Sequence, residues 1–314
     1  MPDISVAVIV PTYNRAAHVG AAIDSILAQA EPPDEIIVVD DGSTDATHDV
    51  LARYGDAIKV LYQQNAGASA ARNAGARVAT SDWLTFLDSD DLWNPDRMRL
   101  LREDLSSAGS DIVAHVGNVL FCGVGEERDF FSVARIGIGP GSVQRVARPL
   151  ALFLHGFFLI GAAFRRDDFV ALGGFDTSFP VDEDTEMAHR LAERGEFLVR
   201  GDVLAKVIRQ AGDDVALSKL RRRDPFLAND LKQRQFTAII ERSEDPHDRK
   251  LAAAALSSAL IQRAILLREC GKPGYWPTLW NAFRVHPSLL KGFGRVLLAV
   301  TNMSRQPTSV DRTT

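Results

Sequence analysis

Three carboxylates crowd around one serine in Asp88-Ser89-Asp90-Asp91, directly after the apolar run Leu84-Thr85-Phe86-Leu87. Carboxylates this close repel one another unless a metal, basic side chains or water offsets their charge, and a hard divalent ion with oxygen ligands does so best. A solvated acidic turn before a helix over 95–105 is the alternative. A calcium loop of the helix-loop-helix kind starting at Asp88 is excluded, because Leu92, Trp93 and Arg99 stand where it needs an oxygen ligand, glycine and glutamate. Other residues have chemical capacity too. Tyr13 offers an aromatic face for a base, and Asp41 an acceptor for an imide N–H such as that of uracil, although Asp41-Gly42-Ser43-Thr44-Asp45 also suits a turn and helix cap. Gly67 permits close backbone approach to a ligand, with a helix N-terminus behind it. Arg72 is the one charged residue of the small-residue stretch 68–76, and suits either a nucleotide or a surface salt bridge. Glu183 and Asp184 open a helix, where they serve the macrodipole or supply a base.

The elements that must position these residues alternate. Residues 6–10, 35–39, 57–63, 83–87 and 111–120 read as strands, and 16–29, 44–54, 68–78 and 95–105 as helices. Strands separated by helices imply βαβ crossovers and a mainly parallel sheet. Thr12-Tyr13-Asn14, Asp40-Asp41, Asn65-Ala66-Gly67 and Asp88 to Asp91 each follow the carboxyl end of a different strand, so the topology should gather them in one cleft. The first strand-to-helix turn, Pro11 to Arg15, has no glycine, so the dinucleotide fingerprint is absent and a nicotinamide or flavin oxidoreductase is not expected. A glycine-rich loop or flap, 137–141, lies in a less regular middle section, and the chain reads as helical from about Asp224.

Composition sets outer limits. The 314 residues, 46% hydrophobic, can bury one large domain plus an appendage. A net charge of −5 argues against general nucleic-acid binding. Cys122 and Cys270 lie far apart without metal-type spacing, which fits a reducing compartment. Residues 1–10 lack a signal-peptide pattern, so a cytoplasmic location is expected. The apolar stretch 150–164 contains His155, Gly156 and Gly161, falls short of the ~20 residues a spanning helix needs, and reads as core.

Pro11-Thr12-Tyr13-Asn14-Arg15, Val39-Asp40-Asp41-Gly42-Ser43-Thr44-Asp45, Asn65-Ala66-Gly67 leading to Ala71-Arg72-Asn73-Ala74-Gly75, Leu87-Asp88-Ser89-Asp90-Asp91, and Gly173-Gly174-Phe175-Asp176 followed by Glu183-Asp184 resemble, in order and spacing, the motifs of family-2 inverting glycosyltransferases. The likeness covers roughly residues 4–220. It implies an α/β fold with a single Rossmann-like nucleotide-diphospho-sugar transferase domain over 1–223, of which 1–120 would hold the donor and 121–223 the acceptor, plus a helical extension over 224–314. It implies a nucleotide-sugar donor, a magnesium or manganese ion, and inverting transfer to a hydroxyl of a glycan or lipid-linked glycan; an aspartate near the base suits uracil and makes a UDP-sugar the first expectation, with guanosine and thymidine donors open. By the same resemblance Thr12, Tyr13 and Asp41 bind the base, Gly67 and Arg72 approach the donor, Asp88 serves the ribose or metal shell, Asp90 coordinates the metal, and Asp184 beside Glu183 is the base. One departure stands out. Many relatives carry a histidine after the base-bearing helix, whereas residues 190–246 have none and Arg209-Gln210 stand in the comparable stretch. His189 is five residues beyond Asp184, off its helix face, and reads as structural.

Leu289, Leu290, Phe293, Val296, Leu297 and Val300 recur at helical spacing with Lys291 and Arg295, a pattern that suits peripheral contact with an anionic membrane or packing on the protein itself. A sugar nucleotidyltransferase would need a glycine-rich basic loop after the first strand, which Pro-Thr-Tyr-Asn-Arg does not supply. A non-catalytic nucleotide-sugar-binding protein is the rival from another class.

Overall fold

Runs of valine and isoleucine with both faces covered by other chain become central parallel strands. In the computed structural model, which describes residues 4–123, 127–209 and 223–287, two compact units form, Met1–Arg222 and Arg223–Thr314.

The strands of the first unit are β1 (Val6–Thr12), β2 (Glu35–Asp40), β3 (Lys59–Tyr62), β4 (Trp83–Phe86), β5 (Leu92–Trp93), β6 (Ile112–Gly123), β7 (Arg128–Asp129), β8 (Val143–Val146), β9 (Ala162–Arg165) and β10 (Glu196–Arg209). Its helices are α1 (Val19–Leu27), α2 (Thr47–Ala52), α3 (Ala68–Val78), α4 (Arg97–Leu105), α5 (Phe130–Ala134), α6 (Leu150–Phe153), α7 (Arg166–Ala171) and α8 (Glu183–Ala192). The strands run in the order β3-β2-β1-β4-β9-β6-β10-β5, with β7 on β6 and β8 on β10. β3, β2, β1 and β4 are parallel, and so are β6 and β10 along the longest ladder, which makes the sheet mainly parallel as expected. β9 runs antiparallel between β4 and β6. The expected stretch 150–164 is accordingly core: it ends in β9, whose Ala162, Ala163 and Phe164 are fully buried.

Order 3-2-1-4 places a topological switch point between β1 and β4, beside the carboxyl ends where ligands collect in open α/β sheets. Close packing behind that edge depends on small residues. A Cβ added to Gly75 of α3 would sit 2.5 Å from Ile9 Cγ2, so glycine lets the helix approach β1.

Two local differences from expectation have physical causes. α2 starts at Thr47 rather than 44, because the Asn14 carboxamide oxygen accepts the Thr44 N–H at 2.7 Å and Asp45 Oδ1 accepts the Thr47 N–H at 3.0 Å, so 44–46 serve as a cap. The glycine-rich 137–141 loop is tied down: the Gly141 N–H donates to Asp202 at 3.0 Å and the Gly201 N–H to the Ser142 carbonyl at 2.9 Å.

The second unit is helical: α9 (Pro225–Arg242), α10 (Pro246–Glu269) and α11 (Tyr275–Val285). Asp224 and Asp245 cap the first two by accepting the N–H of Leu227 at 2.9 Å and of His247 at 2.8 Å, with proline in each first turn. α10 is long and apolar enough to cross a membrane by length and composition. It nevertheless packs on both neighbours: Asn229 donates to the Ala259 carbonyl at 2.9 Å, and the Ser257 hydroxyl to the Ala282 carbonyl at 2.7 Å. The segment 289–300 and residues 210–212 lie outside the described residues.

Candidate active site

The carboxyl ends of β1, β2 and β4 and the start of α3 meet at one edge. Strand β1 stops as the Asp41 N–H donates to the Thr12 carbonyl at 2.8 Å, while Asn14 takes a left-handed φ of 51° that turns the chain into α1. Tyr13 projects from this turn with 43% of its surface exposed, leaving a ring face open, and the Thr12 hydroxyl beside it is buried without a hydrogen-bond partner. A buried orphan hydroxyl next to an open aromatic face is an arrangement that a bound ligand can complete.

Asp41 is buried and organises the next loop. Its carboxylate accepts from Gln63 Nε2 at 2.7 Å, the Ala66 N–H at 2.9 Å and the Gly67 N–H at 2.8 Å. Gly67 then takes φ 91°, a conformation favouring glycine, and starts α3 with nothing within 4 Å of where a Cβ would lie. Asp41 therefore draws the α3 N-terminus to the sheet edge. Gln63, which the sequence reading left unassigned, is part of this loop, and only its place at the end of β3 could have signalled it.

Arg72, on the second turn of α3, joins the two halves of the site. It is only 4% exposed, so the surface salt bridge considered from sequence does not occur. Nη2 donates to Asp88 Oδ1 at 2.6 Å and Nη1 to Glu183 Oε1 at 2.7 Å. Burial alone would favour a neutral guanidine, but the charges of Asp88 and Glu183 outweigh it and keep Arg72 ionised. The next residue holds the other end. Asn73 Nδ2 donates to the Phe175 carbonyl and its Oδ1 accepts the Phe175 N–H, each at 2.8 Å. Gly174, at φ 76°, must be glycine here, because a Cβ would come within 2.5 Å of Asn73 Oδ1. Phe175 plugs the core, its ring centroid 5.2 Å from Phe86 and 5.1 Å from Phe169. The Gly173-Gly174-Phe175 motif thus anchors the loop that leads to α8.

Glu183 and Asp184 open α8 after Asp182, which takes φ 66°. Arg190 braces that helix from inside, pairing with Glu186 at 2.6 Å and donating to the Leu172 and Gly174 carbonyls at 2.8 and 2.9 Å. Burial and, second, repulsion from Glu183 push the Asp184 carboxyl up to about 7, against the lowering effect of the Thr185 N–H and of Arg72. A carboxyl poised near neutrality is suited to accepting a proton. His189 is buried with Nε2 3.3 Å from the Phe153 carbonyl, a packing position rather than a site position.

The acidic cluster divides. Asp88 faces Arg72. Asp90 lies 3.5 Å from Arg15, a residue quoted in the first motif but given no role from sequence. Asp91 does more than start the next turn: its N–H donates to the Asp88 carbonyl at 3.0 Å and its carboxylate accepts the Ile208 N–H at 2.9 Å, which fastens the loop to β10. Among the described residues no three His, Cys, Asp or Glu side chains come together as a metal cage. The donor set nonetheless fits magnesium or manganese, hard ions that take one or two carboxylates and complete their shells with phosphate and water oxygens.

An open α/β sheet with a site at its switch point defines a class of nucleotide-binding folds, and solved glycosyltransferases share this one. Staphylococcus aureus TarS in complex with UDP-GlcNAc matches with a TM-score of 0.64 at 18% identity, over 89% of this chain and 80% of that one. The mannosyltransferase PcManGT of Pyrobaculum calidifontis, in complex with GDP-Man and Mn2+, matches with a TM-score of 0.58 at 25% identity, over 93% of this chain and 80% of that one. The sequence profile of glycosyl transferase family 2 matches residues 7–169, and the chain belongs to that family. An uncharacterised glycosyltransferase of Nostoc sp. is 40% identical over 114 residues, 35% of each chain. GlyA, a glycosyltransferase of Streptococcus pneumoniae, is 33% identical over 154 residues, 48% of this chain and 21% of its own. TuaG of Bacillus subtilis, whose name provisionally assigns it to teichuronic acid biosynthesis, is 41% identical over 97 residues, 30% of this chain and 38% of its own. The matched segment thus spans well under half the length of these relatives.

Proposed function

We propose that the protein transfers a sugar from a nucleoside diphosphate sugar to an acceptor hydroxyl with inversion at the anomeric carbon, in the synthesis of a cell-envelope polysaccharide or glycan. The observation that carries this reading is the Asp88–Arg72–Glu183 bridge, which couples the donor edge of the sheet to a carboxyl, Asp184, raised towards neutrality. Tyr13 stacks the base, the Thr12 hydroxyl and the Asp41 loop close around the nucleoside, and Gly67 admits the donor to the α3 N-terminus. UDP-linked sugars are the first candidates, with the UDP-GlcNAc and GDP-Man complexes of structural neighbours as support for a nucleotide-sugar donor. The division of the chain into a catalytic part, 1–223, with donor and acceptor halves meeting near 120, and an extension, 224–314, belongs to the same reading.

Asp184, as the anion, takes the proton from the acceptor hydroxyl. The acceptor oxygen forms its bond to the anomeric carbon from the face opposite the diphosphate as the carbon–oxygen bond to that diphosphate breaks, which inverts the centre. Glu183 stays with Arg72 and keeps its neighbour's affinity for the proton high. Asp90, with Asp88 in support, would hold a magnesium or manganese ion, which offsets the charge gathering on the departing diphosphate. A lipid-linked acceptor at the inner face of a membrane, with the protein cytoplasmic and contacting anionic lipid through 289–300, completes the proposal.

A thermal-shift screen of nucleoside diphosphates and their sugars, with and without manganese, tests it, followed by the anomeric configuration of any product. Stabilisation by a nucleotide sugar and an inverted product are expected; failure of every nucleotide to stabilise the protein refutes the reading.

A further inference from the structure

Helix α11 turns one arc inward and leaves another bare. Leu279, Ala282 and Phe283 are buried, with Leu279 and Phe283 packed on Ala264 of α10. One turn apart on the adjoining arc, Trp276 and Trp280 are each 66% exposed, in contrast to Trp83 and Trp93 at 7% and 4%. Arg284 continues the exposed arc, and Arg268 and Lys272 lie just before the helix, with the Arg268 guanidinium 5.8 Å from the Tyr275 ring centroid. Two large aromatic side chains held in water are costly, whereas the headgroup region of a bilayer accepts an indole's apolar body and its N–H together.

Charge selects the partner. Although the whole chain carries −5, the described residues around the pair, 268–287, hold Arg268, Lys272 and Arg284 against Glu269 alone. Paired tryptophans within such a segment match an anionic lipid surface. At 11 residues α11 extends about 16 Å, too short to cross a hydrocarbon core of about 30 Å, so it must lie in the interface plane.

We propose that the Trp276–Trp280 face of α11 is an interfacial anchor that seats the helical unit on an anionic phospholipid surface. The inference is independent of the transferase reading and of the structure of 289–300. It predicts that the full-length protein floats with vesicles of phosphatidylglycerol in phosphatidylethanolamine at low salt, and only weakly with phosphatidylcholine. Because the other two tryptophans are buried, a blue shift of emission and quenching by brominated lipid on binding report Trp276 and Trp280.

The W276S/W280S double variant, altered only at exposed positions, should keep its melting temperature, and its vesicle affinity should drop about tenfold or more. K272Q and R284Q should each lose about fivefold at low salt. Undiminished binding by W276S/W280S, or wild-type binding without an emission shift, overturns the proposal. So does concentration-dependent self-association of the wild type that the double variant loses without any vesicle affinity, which would assign the face to a second copy of the chain.

Discussion

Replacing Asp184 by asparagine should stabilise the protein while removing its chemistry, and the pH dependence separates this outcome from ordinary damage. Burial and the adjacent Glu183 raise the Asp184 carboxyl from its ordinary 3.8 to about 7. Between those values the folded protein keeps a proton that the unfolded chain has released, so stability falls as pH rises through this window and the loss is complete above it. A displacement from 3.8 to about 7 corresponds to about 4 kcal/mol at roughly 1.36 kcal/mol per pH unit. Asp184 is only partly buried, so solvent screening reduces this to about 2 kcal/mol. Asparagine keeps the shape and an oxygen to accept the Thr185 N–H but never ionises. In a unit of this size about 2 kcal/mol moves the melting temperature by about 4–8 °C.

Scanning calorimetry of the unliganded D184N variant should therefore show a gain of that size near about pH 8 and none near about pH 4. Transfer should fall by about 10² to 10⁴ with donor affinity retained. The wild-type rate should rise with pH towards about 7, and E183Q should move that rise to lower pH, because it removes the repelling charge beside Asp184. A variant no more stable than wild type at high pH, or equally more stable at both pH values, would refute the electrostatic reasoning. Unchanged turnover would remove Asp184 from the role of base.

Three further perturbations test the frame around that residue. Arg72→Met strands Glu183 and Asp88; because Asp88 is partly exposed, the cost should lie near the lower end for a broken buried pair, about 3 kcal/mol, seen as a fall of about 6–12 °C on melting. Asn73→Ala frees the Phe175 backbone, should cost about 1–3 kcal/mol, and should lower kcat more than it raises the donor KM, since the loop it releases carries Glu183 and Asp184 rather than the nucleoside pocket. Asp90→Asn should raise the manganese concentration needed for half-maximal transfer by about tenfold or more, with metal-free nucleotide binding by calorimetry unchanged; an unaltered manganese titration assigns the metal elsewhere.

Local pattern carried the strands and the residues at their ends, because a buried parallel strand is an apolar run whatever lies beside it. Val6 to Val10 and Trp83 to Leu87 could be read so, as could the polar turns that stop them, and alternation with helices was enough to bring those turns to one edge. Position in the sheet was not legible in the same way. Nothing in Ala162-Ala163-Phe164 announces that it runs antiparallel between β4 and β6; Gly161, just before it, permits the close approach to Gly117 of β6, where a Cβ would lie 2.7 Å from a carbonyl oxygen.

The same distinction separates the parts of the site. Candidate carboxylates were visible as residue types, but the role of Arg72 depends on a partner 111 positions away, brought near by Phe175 entering the core and Asn73 clasping its backbone. A lone arginine among alanines has no local signal for two carboxylates, one buried and one half-exposed. Asp91 shows the converse: three acidic neighbours look equivalent in sequence, and only the approach of β10 turns one of them into a strand fastener. The proton affinity of Asp184 follows from these tertiary facts together. Arg72 faces Glu183 and Asp88 directly, so Asp184 keeps the burial and the repulsion of its neighbour while receiving little of the compensating charge, and the proposed role of Asp184 as base rests on that asymmetry.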